Sequence, residues 1–162
     1  MPEPTRSRPR MPKDYGVPAE EAGMIDWSHA TEILAAATMY WVCSVRPDGR
    51  PHAVPVWGAY VDDVLYLETG GHDTRKARNI DANPSVVVHV ERGDDVVIVE
   101  GTAARPTHLD PETFERVRAS FAAKYKGYRP ETYTAGTHVV APRVAFAWNE
   151  FPKTPTRWTF GA

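Results

Sequence analysis

Apolar positions in this chain fall in short runs rich in β-branched residues, separated by Gly, Pro and Asp clusters, which is the pattern of strands and turns. Residues 39–45 read as a first strand. Arg46-Pro47-Asp48-Gly49-Arg50 then has the chemistry of a hairpin turn. A second strand covers 52–60, and Val61-Asp62-Asp63 turns it into a third over 64–69, giving an antiparallel meander. The runs at 85–90 and 96–104 are almost continuously β-branched, which predicts strands buried on both sides. Residues 137–148 form a further strand, broken near Pro142, and 156–160 a last short one. Two stretches have helical spacing instead. Trp27, Ala30, Ile33, Leu34 and Ala37 make one apolar face behind a cap at Asp26 or Ser28. Phe114, Val117, Phe121 and Tyr125 make another behind Asp110-Pro111-Glu112, a strong helix start. The expected fold is α+β: about seven mainly antiparallel strands in a barrel, with two or three helices.

Between the third and fourth strands lies GGHDTRKARNIDANP, residues 70–84. Two glycines end the strand, a polar segment opens a helix carrying Arg75, Lys76 and Arg78, and Asn83-Pro84 closes it. Free N–H groups at such a helix start, with cations in the first turn, suit a phosphate. The same residues equally describe a solvated basic helix capped by Asp73 or Thr74. Pro55 interrupts the second strand. Lacking an N–H, it belongs at an edge, at a bulge, or facing something other than a strand. Alternation puts Ala53, Pro55, Trp57 and Ala59 on one face and His52, Val54, Val56 and Tyr60 on the other. Small residues at the break suit either a flat ring lying on backbone or a tight barrel corner.

With 162 residues the chain suits one domain with a real core, and a net charge of −2 points away from nucleic acid and membrane surfaces. No apolar run approaches the roughly 20 residues that span a bilayer. The N-terminus lacks the apolar core of a secretory signal. The single cysteine, Cys43, fits a reducing cytoplasm and lies in an apolar run, where buried packing is the expectation. Residues 1–23, dense in proline and charge, read as a flexible or loosely docked arm, leaving 24–162 as the folded domain. His89 is read as a core or interface histidine, and no metal motif is present.

The order of these pieces resembles the pyridoxamine 5'-phosphate oxidase-like split β-barrel family, in particular its flavin/deazaflavin oxidoreductase branch. The pieces are HAVPVW at 52–57, TRKARNI at 74–80, Asn83-Pro84 and VEGTA at 99–103. The match runs roughly from Trp27 to Phe160. The resemblance implies a homodimer with the cofactor groove at the subunit interface. It places Arg75 and Lys76 on the cofactor phosphate, with Thr69 and Thr74 as hydroxyl donors, and lays Val54, Pro55, Val56 and Trp57 along the tricyclic ring. Trp148 and Trp158 fall in the region that closes the groove from the other subunit, or in core or dimer packing.

The chain ends TRWTFGA, without the Arg-containing, Leu-Pro-closed segment of true pyridoxamine phosphate oxidases, so vitamin B6 oxidation is not expected. The cofactor implied is coenzyme F-420, with FMN as the alternative. A composition rich in Ala, Arg, Val and Pro is that of a GC-rich genome such as an actinomycete's, and Arg46, Arg50 and Arg78 are either extra cations for a polyanionic tail or turn and surface residues. The reaction implied is hydride transfer to a small conjugated substrate, with the proton coming from solvent, Tyr60 or His52. Two other readings stand beside it: a non-catalytic cofactor or tetrapyrrole binder, and a dimeric scaffold with an empty groove. Substrate choice is assigned to residues 127–136 and the N-terminal arm, which carry no motif.

Overall fold

The protein is described by a computed structural model covering residues 4–128, 131 and 136–161. Among the described residues there are nine strands and three α-helices. The chain runs β1 (Thr5–Ser7), α1 (Trp27–Ala36), β2 (Tyr40–Val45), β3 (Pro51–Val56), β4 (Gly58–Val61), β5 (Val64–Glu68) and α2 (Arg75–Ala82). It continues through β6 (Ser85–His89), β7 (Val96–Ala104), α3 (Pro111–Lys124), β8 (Thr137–Trp148) and β9 (Thr156–Thr159). The two strands beyond the expected seven have separate origins. The arm supplies β1, and the run at 52–60 divides into β3 and β4 at Trp57.

All pairings are antiparallel, in the order β1-β9-β8-β7-β6-β2-β3, with β5 also on β8 and β4 on β5. The long β8 is where the barrel splits. Its first residues, Thr137–Val140, pair with β5, whereas Val144–Ala147 pair with β9. Its other edge follows β7 from Val139 to Trp148, with a register shift between Glu100 and Gly101 opposite Pro142. A Cβ on Gly101 would lie 2.3 Å from the Ala141 carbonyl oxygen, so the strands meet there only because the residue is glycine.

Inward-facing residues of the sheet, among them Val42, Val56, Leu67, Val88, Val97 and Val99, form the main core with Leu34, Ile80 and Trp158. A smaller cluster of Ala59, Tyr66, Val117, Phe121 and Tyr125 forms where α3 covers the β4–β5 hairpin. Asp110 caps α3 by accepting from Thr113 N at 2.9 Å. The β4–β5 turn has positive φ at both Asp62 and Asp63, the geometry of a type I′ turn. Asp63 Oδ1 accepts from Tyr60 OH at 2.7 Å and Trp27 Nε1 at 3.3 Å.

Three expectations change. The runs at 85–90 and 96–104 are not buried on both sides: β6 and β7 alternate, with Val86, Val88, Val97 and Val99 in the core and Val87, His89 and Ile98 half-buried outside. Cys43 is likewise half-buried on that outer face, as a free thiol. The face division of 52–60 fails at Ala59, because the break at Trp57 puts Gly58 and Ala59 both in the interior. The outer face of β2, β3 and β6 therefore presents Trp41, Cys43, Ala53, Pro55 and Val87, and Trp41 and His89 stack nearly parallel at 6.3 Å.

The proline-rich arm, expected as flexible or loosely docked, carries β1 on β9 and a pinned arginine. Arg8 donates to the carbonyls of Glu20, Ala22, Lys153 and Pro155 at 2.6–3.0 Å. No described helix is long and apolar enough to cross a membrane.

Candidate functional site

The stretch 70–84 folds as its composition predicts. Gly70 and Gly71 both take φ of +73°, and α2 follows. Thr74 caps the helix. Its hydroxyl accepts from Ala77 N at 3.3 Å and donates to Thr69 O at 2.7 Å, tying the first turn to the end of β5. Ala77, Asn79 and Ile80 face the barrel, which leaves Arg75 and Arg78 exposed and Lys76 half-buried.

The cations at this corner differ in what they touch. Arg50 is held by Asp48 through two contacts of 2.7 and 3.0 Å. Arg46, Arg75, Lys76 and Arg78 have no hydrogen bond or ion pair to any described side chain, and Arg46 Nε is buried without a partner. The charges of Arg46, Arg75 and Lys76 converge on His52 in β3. Burial first, then these three charges, hold its imidazole below the usual histidine range. His52 Nδ1 is also buried and unpartnered. His52 pairs in register with Ser44, whose Oγ accepts from Asn79 Nδ2 at 3.1 Å, and Asn79 Oδ1 is a third buried atom without a partner. Nearby, Glu68 Oε1 accepts from Gly70 N at 3.0 Å, and burial lifts the Glu68 carboxyl above the usual range.

The structure gives Thr69 a different task from the hydroxyl donor expected. Its side chain is wholly buried, and the hydroxyl lies 2.8 Å from His138 Nδ1 and 2.9 Å from Gly136 O. His138 is buried in β8, and its Nε2 faces Asp81 Oδ1 at 3.2 Å. Asp81 is also clamped by Arg105 through two contacts of 3.0 Å. The carboxylate fixes the proton on Nε2, which leaves Nδ1 an acceptor, so Nδ1 and Gly136 O share the single proton of the Thr69 hydroxyl. Burial keeps this imidazole below its usual range and therefore neutral. The chain Thr69–His138–Asp81–Arg105 thus locks the start of β8 to the β5–α2 corner. Sequence reasoning missed it because its members lie far apart in the chain.

The segment expected along a flat ring is the edge strand β3 and the residue after it. Val54 and Pro55 are half-buried, Val56 points into the core with 4% exposure, and Trp57 is 43% exposed. Any ring contact at Val56 would thus fall to its backbone. Trp57 lies on Tyr125 at 4.7 Å with 12° between the planes, and Tyr128 meets it edge-on. Tyr125 OH accepts from Gly58 N at 2.8 Å, which holds the platform against the β3–β4 break. The only sequence signal for this pairing is Tyr125 closing the apolar stripe of α3.

Trp158 is core: it is 1% exposed and packs 5.2 Å from Trp27. Trp148 is half-buried at the end of β8. Tyr60 is tied to Asp63, and burial drives its hydroxyl far above the usual tyrosine range, so it holds its proton. Residues 129, 130 and 132–135, within the segment assigned to substrate choice, lie outside the described residues.

A family model described as pyridoxamine 5'-phosphate oxidase matches residues 27–149. Among solved structures, General Stress Protein 26 from Bacillus anthracis str. Sterne is similar at 24% identity and TM-score 0.57, over 74% of this chain and 91% of that one. A protein described as an F420 reductase is similar at 25% identity and TM-score 0.52, over 70% and 93%. An FAD-binding protein from Mesorhizobium loti has TM-score 0.60 at 19% identity, over 85% and 96%. No curated protein matches.

Proposed function

We propose, for a chain that belongs to the pyridoxamine 5'-phosphate oxidase family, an oxidoreductase that works with a flavin or deazaflavin bound between two copies of the chain. The reading that best joins the residues is hydride transfer from reduced coenzyme F-420 to a small conjugated organic substrate. The cofactor supplies the hydride chemistry, and the protein binds, orients and shields it.

The observation that carries this reading is the group of unpaired cations at the start of α2. Arg75 and Lys76 stand at a capped helix N-terminus after two left-handed glycines, with Arg46 across from them, and none is balanced by a hydrogen-bonded carboxylate among the described residues. Such a corner fits a phosphate group. Thr74 contributes as the cap that sets the first turn, and Thr69 as the buried anchor beneath it. Among the described residues β3 has a free edge, and Pro55 on it has no N–H to leave unsatisfied beside a flat ring. Trp57 offers an exposed aromatic face beyond it. The half-buried apolar outer face of β2, β3 and β6 fits contact with a second copy. Similarity to a protein described as an F420 reductase favours F-420, while FMN presents the same phosphate chemistry to the same residues.

The test is a side-by-side fluorescence titration with F-420 and FMN, on the wild type and on Lys76→Ala. Micromolar binding of one of them is expected, weakened by about 1–3 kcal/mol, or roughly ten- to a hundredfold, in the variant. Absence of any quench or spectral shift with either cofactor sinks the proposal. Binding without turnover of quinone or enone acceptors favours the non-catalytic binder.

A further inference from the structure

The hairpin that faces α2 carries a second set of polar groups without partners. Arg46 is positioned by its own turn: its N–H donates to Arg50 O and its carbonyl accepts from Gly49 N, both at 2.9 Å. Asp48, the carboxylate of that turn, is engaged by Arg50, so the Arg46 guanidinium is left unpaired with Nε buried. His52 enters from the adjacent strand with Nδ1 buried and unpartnered. Asn79 lies four residues along α2 from Arg75 and is 1% exposed. It holds Ser44, the cross-strand partner of His52, and has one amide atom unpartnered. Ser44 can donate as well as accept, so a turned Asn79 amide keeps that bond and frees an N–H instead. Orphaned buried polar atoms are costly and uncommon, and three at one corner need a shared reason.

We propose that Arg46 and His52 form the hairpin half of an anion cradle whose other half is Arg75 and Lys76, and that an anion bound there draws a proton onto His52. This rests on the phosphate-end reading of α2 given above and adds its regulation by pH. The charged groups acting on His52 are Arg46 from the hairpin and Arg75 and Lys76 from α2. Asp48 acts on Arg46 and Arg75 from the turn, and Glu68 lies beside Lys76. Without an anion, burial and three cations oppose a charge on the imidazole. An anion among them cancels that field and accepts a hydrogen bond from the protonated ring, so binding and protonation favour each other. The proton comes from solvent, and no covalent bond changes.

The test uses sulfate, whose charge is constant across the pH range, so any pH dependence belongs to the protein. Calorimetric titrations at pH 6, 7 and 8 in buffers of different ionisation heat read both affinity and proton uptake. In the wild type, sulfate takes up a fraction of a proton and binds more tightly as pH falls, by up to about tenfold per pH unit. His52→Gln, which keeps a polar side chain but cannot titrate, binds with a flat profile and no uptake. Arg46→Gln weakens sulfate by about tenfold. Histidine NMR on the wild type is the second measurement and needs no variant to fold: the His52 resonance titrates low without sulfate and moves up with it. The proposal is overturned if His52→Gln keeps the wild-type slope, if uptake is absent in the wild type, or if the His52 resonance ignores sulfate. Should sulfate behave as stated while neither F-420 nor FMN binds, the cofactor reading falls and the cradle stands. Should the cofactors bind and His52→Gln follow the wild type with sulfate, the cradle falls alone.

Discussion

Thr69 and His138 meet across the β5–β8 boundary, and what they do there is decided by burial. A hydroxyl and an imidazole with no exposed surface must find partners inside the protein, here each other, Gly136 O and Asp81. Thr69→Val removes the hydroxyl that lies between His138 Nδ1 and Gly136 O while keeping the shape. The expected cost is about 1–3 kcal/mol of folding stability in a denaturant titration, with cofactor affinity within about twofold of wild type once folded. A large loss of affinity without a loss of stability would restore Thr69 to the phosphate. The pH dependence has a definite sign. The native His138 imidazole resists protonation, while the unfolded one accepts a proton near about 6.5. Its contribution to stability is complete above that pH and is lost as pH falls towards the native value; Asp81, held below the usual range first by Arg105, acts in the same direction at lower pH. Melting temperature should therefore fall from pH 7 to pH 5, less steeply in His138→Gln. A rise over that interval would contradict the neutral assignment. Local chemistry made the helix start legible in the sequence: glycines, a threonine cap and two cations all fall between Gly70 and Lys76. The partners of Thr69, and the meeting of Arg46 and His52 with α2, depend on tertiary pairing that no window of sequence contains.

Elements here are set by alternation, and their interruptions by single glycines. The run 52–60 is almost continuously apolar after His52, so nothing in its pattern reveals that it changes partners from β2 to β5. The switch happens where Gly58 admits the Tyr40 ring: a Cβ there would come within 2.9 Å of both Tyr40 Cδ2 and Tyr66 O. The β7–β8 crossing makes the same demand at Gly101, against backbone that cannot turn aside. Gly101→Ala should cost about 1–3 kcal/mol through forced displacement of β8, seen as a lower denaturant midpoint. An unchanged midpoint would mean that the bulge opposite Pro142 yields freely. Turn and cap positions were legible because Asp-Gly, Asp-Pro and paired Asp residues act locally. The β-branched runs misled about their outer face, because Val87 and Ile98 satisfy strand propensity whether or not anything covers them.

At the scale of the whole molecule, that outer face bears on function. A groove of about 560 Å³ runs over it, lined by Cys43, Val45, Pro51, Val87, Arg143 and Val144 among others. Leaving such a surface in water is unfavourable, and a second copy laid across it would bring β3, with its free edge and Pro55, next to another chain. If the cofactor groove forms only between subunits, as we propose, assembly and cofactor binding are one equilibrium and cannot be perturbed separately. Val87→Asp tests this, because it places a charge at a half-buried position on the outer face, without touching the core. Sedimentation should show the wild type at twice the mass of the chain and the variant shifted towards the single chain. Affinity for F-420 or FMN should fall by at least about tenfold, in proportion to the lost dimer, and recover as protein concentration rises. A monomeric variant that binds cofactor as tightly as the wild type would place the whole site within one chain. It would leave the outer face to be explained by something other than the cofactor.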